Sequence, residues 1–220
     1  MLTASLDLER GGGPARVLAI GCHADDIEIG CGGTLLALAE RRPDVEVTWL
    51  VLSANGARGE EARASAAAFL AGVPASKVVV EGFRDGFFPY LGPAVKERFE
   101  ALKQEVSPDL IFTHAGIDLH QDHRLVSELT WNTFRDHLIL EYEVPKYDAD
   151  LTAPNVYVPL TEALLMRKVE LLLEHFPSQR GKHWFTDDLF RGLARLRGME
   201  ANSPTRFAEA FRCRKLVLAR

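Results

Sequence analysis

A chain of 220 residues with 47% hydrophobic and 26% charged side chains can bury one large core or two small ones, which argues against wholesale disorder and fibrous repeats. Its 31 acidic residues against 26 basic ones leave a formal charge of −5, which opposes non-specific attraction to nucleic acid or an anionic membrane. Cys22, Cys31 and Cys213 form no CxxC pair, so a secreted disulfide framework is disfavoured and a reducing, cytoplasmic location is expected.

Residues 1–14 read as a short tail, because Met1 to Gly13 lacks the basic start and apolar stretch of a signal peptide. The apolar run from Arg16 to Gly21 predicts a strand, Gly30-Cys-Gly-Gly33 a tight loop, and Thr34 to Glu40 a helix. The same grammar recurs: strand Val45–Ser53, helix Gly59–Ala71, strand Lys77–Gly82, helix Pro93–Val106, strand Asp109–Thr113, helix Asp122–Asp136, strand Leu138–Glu143. Its apolar runs fall far short of the roughly 18 residues a spanning helix needs. After Pro145 come an irregular connection, Tyr147 to Pro154, a short strand Asn155–Val158, helices Thr161–His175 and Asp187–Arg197, and a last strand Phe211–Leu218. Repeated βα units predict a Rossmann-like α/β fold: a mostly parallel sheet with helices on both faces. No Gly, Ser or Pro-rich linker splits the chain, so residues 1–220 read as one domain, with residues 145–220 as its C-terminal helical and strand cap.

The glycines do not make a dinucleotide site. Leu35 stands three residues after Gly32 where that fingerprint needs glycine, and no GxxxxGK[ST] occurs. Chemistry points elsewhere, to His23-Ala-Asp25-Asp26-Ile-Glu28 directly after the first strand, and to His114 and Asp118-Leu-His120-Gln-Asp122-His123 after the strand ending at Thr113. Both clusters fall at carboxyl ends of strands, where open α/β sheets bind ligands. Two imidazoles and one carboxylate drawn from them make a three-donor set that leaves a coordination position open, as catalytic zinc sites do.

These residues resemble the LmbE-like or PIG-L-like N-acetylglucosaminyl deacetylases, whose signatures are an HPDD-type motif after the first strand and a later HxDH. Here they are His23-Ala-Asp25-Asp26 and His120-Gln-Asp122-His123. Gly82-Phe-Arg-Asp-Gly86, Ser178-Gln179, Arg197-Gly198 and Phe207-Ala-Glu-Ala-Phe211 are similar too, so the likeness runs through nearly the whole chain. Ala24 replaces the usual proline, and the acid that often follows the Asp pair comes one place later, as Glu28. The resemblance implies Zn2+ held by His23, Asp26 and His123, with Asp25 as general base, His120 stabilising the oxyanion, and Asp122 orienting a histidine in its protonated form. It also implies sugar contacts from Arg58 and Asp85, and a place near the site for His175. The implied reaction is hydrolytic removal of acetyl from an N-acetylglucosamine-containing small molecule or glycoconjugate. His114 and Glu28 are expected behind the ligands, Cys22 in the core, and His137 and His183 as ordinary histidines. Two alternatives stand beside this: a non-haem Fe(II) enzyme built on the same donors, and a sugar-binding relative without turnover. No nucleic-acid partner is expected, and a homo-oligomer is compatible with the sequence.

Overall fold

Alternation of side chains along the strands builds the two faces of the sheet. In β1 (Arg16–His23), Val17 and Ala19 enter one apolar cluster while Leu18, Ile20 and Cys22 enter another. In β2 (Glu46–Ser53), Val47, Trp49 and Val51 divide in the same way from Leu50 and Leu52. The first cluster is closed by α1 (Asp26–Arg41), α2 (Ala57–Phe69), α5 (Glu162–His175) and α6 (Asp187–Glu200). The second is closed by α3 (Gly92–Glu105) and α4 (Gln121–Thr133). The computed structural model describes residue 8, residues 13–151 and residues 153–217. Apart from Leu8, Gly13 and Pro14, the expected tail lies outside the described residues, as do Thr152 and Leu218.

The remaining strands are β3 (Ala75–Val80), β4 (Leu110–His114), β5 (Leu138–Tyr142), β6 (Val156–Leu160) and β7 (Phe207–Arg212). They form one seven-stranded sheet in the order β3-β2-β1-β4-β5-β7-β6. The strands from β3 to β5 pair in parallel, and β7 runs antiparallel to both β5 and β6. The expected α/β architecture is therefore present, and the segment after residue 145 extends the sheet edge as well as covering a face. No described helix is long and apolar enough to cross a membrane.

Two elements depart from expectation. The last strand is Phe207–Arg212, not Phe211–Leu218, because Glu209 faces inward and is held there by Lys168 Nζ at 2.6 Å and by the Thr34 amide at 2.6 Å. The larger departure is α1, which begins at Asp26 and runs straight through Gly30-Cys-Gly-Gly33, the expected loop. A Cβ at Gly30 would fall inside the Tyr142 ring, and one at Gly33 would meet Leu160 and Glu209. Glycine here lets the helix lie against β5 and the sheet edge, at about 1 kcal/mol of helix propensity per residue. Gly30→Ala should recover that increment but overpack a fully buried ring whose hydroxyl is tied to the Ile20 carbonyl at 2.7 Å. Overpacking costs about 1–3 kcal/mol, so a lowered urea midpoint is expected; a raised one would mean that Tyr142 moves aside freely.

Candidate active site

β1 and β4 lie side by side, yet the chain leaves β1 into α1 on one face and reaches α4, after β4, on the other. A crevice opens where connections diverge in this way. His23 ends β1, His114 ends β4, Asp25 is the N-cap residue of α1, and His120 is that of α4. The short Ala24–Asp25 connection fixes Asp26 at the first turn of α1, with its Oδ2 accepting the His23 amide at 2.6 Å.

Three donor atoms converge there. His23 Nδ1 and His123 Nε2 are 3.1 Å apart, His23 Nδ1 and Asp26 Oδ2 3.3 Å, and His123 Nε2 and Asp26 Oδ2 3.5 Å. Ligands bound at about 2.0–2.1 Å around a tetrahedral ion are separated by about 3.3 Å, so the triangle has the size of one coordination face. Burial and the neighbouring His114 push the His123 pKa down to about 4, which leaves its imidazole neutral and able to ligate at neutral pH. Burial raises the Asp26 pKa, but His123, His114 and His23 together outweigh it and hold the carboxyl well below its usual range.

Other nearby donors suit the ion less well. His114 Nε2 is 3.2 Å from Asp26 Oδ2, but it accepts the Cys22 amide at 3.0 Å. Its ring also stacks on His123, with centroids 3.8 Å apart and planes 21° from parallel. Lone pairs lie in the ring planes, so two stacked imidazoles aim past one another rather than at one ion. Cys22 sits near His23 and His123, but burial pushes its thiol up to about 12, and it packs in the core as expected.

Asp25 is buried beside the triangle, and its Oδ1 accepts Arg58 Nη2 at 2.7 Å. Burial raises its pKa, with Arg58 opposing. Arg58, expected on the sugar, is engaged with Asp25, Glu61 and Ser178, the last two at 3.3 Å. Asp85 is mostly exposed and places Oδ1 3.0 Å from His23 Nε2. His120 packs against His23 and His123, with centroid distances of 5.0 and 4.5 Å. Burial and His23 push the His120 pKa down, with Asp122 opposing. Asp122 is directed elsewhere: its oxygens accept the amides of Gly86 at 2.6 Å and Phe88 at 3.1 Å, and Oδ2 lies 3.6 Å from His23 Nε2. Gly86 has a φ of 76°, the left-handed region that favours glycine, so Asp122 fixes the turn that carries Asp85.

His175 ends α5 and makes no hydrogen bond or ion pair with these groups among the described residues, although its neighbour Phe176 lies under Arg58 at 5.5 Å. Glu28 faces α2, where Ser65 Oγ donates to it at 2.6 Å, and burial pushes its pKa up to about 8. His137 pairs with Asp136 and His183 with the Tyr147 hydroxyl. Sequence reasoning placed Asp118 in the second cluster without a role, and its Oδ2 meets His123 Nδ1 at 2.9 Å; it missed Lys146, whose Nζ is 3.0 Å from that same oxygen. The available signal for Asp118 was an acid five residues before His123 at the mouth of α4; nothing marked Lys146.

A family model described as PIG-L: GlcNAc-PI de-N-acetylase matches residues 18–134. The chain is 26% identical over 170 residues to an Escherichia coli K12 protein described as uncharacterized deacetylase YaiS, covering 72% of this chain and 89% of that one. Its fold matches N,N'-diacetylchitobiose deacetylase from Pyrococcus horikoshii with a TM-score of 0.68 at 23% identity, over 90% of this chain and 83% of that one. It also matches GalB, the 4-carboxy-2-hydroxymuconate hydratase of Pseudomonas putida KT2440, with a TM-score of 0.73 at 16% identity, over 94% and 98%. At such identities the structures speak to the fold, which carries more than one chemistry. The family match spans more than half of the chain and contains both histidine–aspartate clusters, and the protein belongs to the PIG-L family of de-N-acetylases.

Proposed function

We propose that the protein is a zinc-dependent hydrolase that removes acetyl from an N-acetylated amino sugar, an N-acetylglucosaminyl conjugate. The observation that carries this reading is the triangle of His23 Nδ1, Asp26 Oδ2 and His123 Nε2, with edges of 3.1–3.5 Å, set beside a carboxylate outside it, Asp25. That donor set fits a zinc ion, with His23, Asp26 and His123 as the residues that would hold it. Zinc bound there would supply Lewis acidity and lower the pKa of a coordinated water from about 15.7 to about 7.

The chain's own residues supply the rest. Asp25 accepts the water proton at Oδ2 while Arg58 holds Oδ1, and it later passes that proton to the departing amine nitrogen. His120 faces the oxyanion that develops on the acetamide carbonyl. Asp122 holds the Gly86 turn, so that Asp85 reaches both His23 and the sugar, and Arg58 and His175 border the substrate on the α2 and α5 side. The products are acetate and a free amine, handled by a cytoplasmic enzyme.

Apolar side chains exposed on the loops after β3, β4 and β5 suggest the character of the aglycone. Phe87, Tyr90, Ile117, Leu119, Tyr147 and Leu151 are all at least 38% exposed. Leu119 and Phe87 adjoin His120 and Gly86, which tie their loops to the site. Exposed apolar groups on loops that also carry site residues favour a partly apolar ligand.

The test is amine release from methyl and octyl N-acetylglucosaminides, with and without a chelator. Chelator-sensitive release is expected from both, with kcat/KM roughly tenfold higher for the octyl compound, about 1.4 kcal/mol of apolar burial. Binding without acetate release would favour the non-catalytic reading. Release restored anaerobically by zinc, with no consumption of oxygen, would discard the Fe(II) oxygenase alternative. The hydratase with the same fold makes a negative result on every N-acetyl sugar informative, since it would direct attention to addition of water to a double bond.

A further inference from the structure

His123 can present Nε2 to a cation only while Nδ1 carries its proton, and Asp118 Oδ2 at 2.9 Å from Nδ1 selects that tautomer. Asp118 is itself held at both oxygens: the His120 amide donates to Oδ1 at 2.8 Å, and Lys146 Nζ lies 3.0 Å from Oδ2. Lys146 comes from the segment after β5, which sequence reasoning left as an irregular connection. It is pinned by Asp150 Oδ2 at 2.6 Å, and that oxygen also accepts the Leu119 amide at 2.7 Å. Asp118 and Asp150 are nearly buried and the Lys146 side chain is 14% exposed, so solvent screens this chain of charges weakly.

We propose that Lys146 is a positioning residue for the cation site: seated between Asp118 and Asp150, it aims the Asp118 carboxylate at His123 and makes the segment after β5 part of the metal-holding apparatus. This rests on the reading of His23, Asp26 and His123 as the cation site. A lysine that merely neutralised two acids would support the fold and leave the ion indifferent to its geometry. Positioning predicts more, because carboxylate partners of ligating histidines change metal affinity by about 10–100-fold. It also predicts that arginine, which keeps the charge and reaches both acids, substitutes for it.

The test uses the full-length protein, with Zn2+ affinity from chelator competition and the visible spectrum of the Co2+-loaded protein. Lys146→Met is expected to weaken Zn2+ by about tenfold and to shift the Co2+ ligand-field bands, while Lys146→Arg stays within about threefold of wild type; Asp118→Asn should lose at least as much as Lys146→Met. Wild-type affinity and spectrum in a cooperatively folded Lys146→Met protein overturn the proposal, as does a loss that arginine fails to rescue. Should Lys146→Met not fold, Asp150→Ala carries the test, since it removes the oxygen that seats Lys146 and leaves only the amide of the exposed Leu119 to solvent; unchanged Co2+ bands there overturn the proposal equally. Wild-type protein that binds neither ion sinks the cation site and this proposal together, whereas wild-type binding with an indifferent Lys146 sinks this proposal alone.

Discussion

Asp25→Asn is expected to lower turnover by about 10²–10⁴-fold while leaving zinc bound, the scale of general base catalysis. The geometry separates the two adjacent acids. Asp26 Oδ2 lies within 3.5 Å of three imidazole nitrogens, whereas Asp25 turns to Arg58 at 2.7 Å and is no corner of the donor triangle. Burial lifts the Asp25 pKa and Arg58 restrains the rise, and a raised pKa is the direction a proton acceptor needs. Asparagine has the same size and can still accept from Arg58, but it cannot accept the water proton. Turnover should therefore fall far more than zinc content or KM. The measurement is kcat on an N-acetylglucosaminyl glycoside beside zinc per protein after gel filtration; wild-type kcat would remove Asp25 from the mechanism.

The placement of Asp25 was legible because its neighbours in sequence are its neighbours in space: a strand end, one turn and a helix start keep His23, Asp25 and Asp26 together whatever the rest of the chain does. The pairing of the two clusters was legible at one remove, since it needed β1 and β4 to be adjacent, and the repeated βα grammar predicts such a switch point without fixing which strands make it. The course of α1 was hidden because Gly30-Cys-Gly-Gly33 has the local propensity of a loop. Its helical state depends on Tyr142, Leu160 and Glu209 approaching from far along the chain, and tertiary packing overrode propensity.

The division of work among the acids of the second cluster was hidden for a related reason. Asp118 and Asp122 are both plausible partners for a histidine by spacing. Asp122 is drawn to the amides of Gly86 and Phe88, groups that a sequence cannot place, and Asp118 is left to orient His123. The contact of Arg58 with Asp25 was hidden in the same way, because β1 and the loop after β2 meet only in the folded sheet.

Asp26→Asn should weaken zinc by more than 100-fold, beyond the range of about 10–100-fold seen when a ligand's supporting partner is lost. Turnover should fall with metal occupancy and recover only as zinc is raised. Asparagine keeps the volume and can still accept the His23 amide, which Asp26 Oδ2 takes at 2.6 Å, so the first turn of α1 retains its shape. What disappears is the negative charge at the corner of the triangle, leaving two imidazoles alone to compete with water for the ion. The cost to the fold should be smaller than the 3–5 kcal/mol expected when a buried ion pair loses one partner, because His123, with its pKa pushed down to about 4, carries no charge at neutral pH, and His23 keeps two other acids at Nε2, Asp85 at 3.0 Å and Asp122 at 3.6 Å. A modest shift of the urea midpoint alongside near-complete loss of zinc is therefore the signature of a ligand. A large midpoint shift with zinc still bound stoichiometrically would mean that Asp26 serves the fold and that the ion sits elsewhere among the histidines.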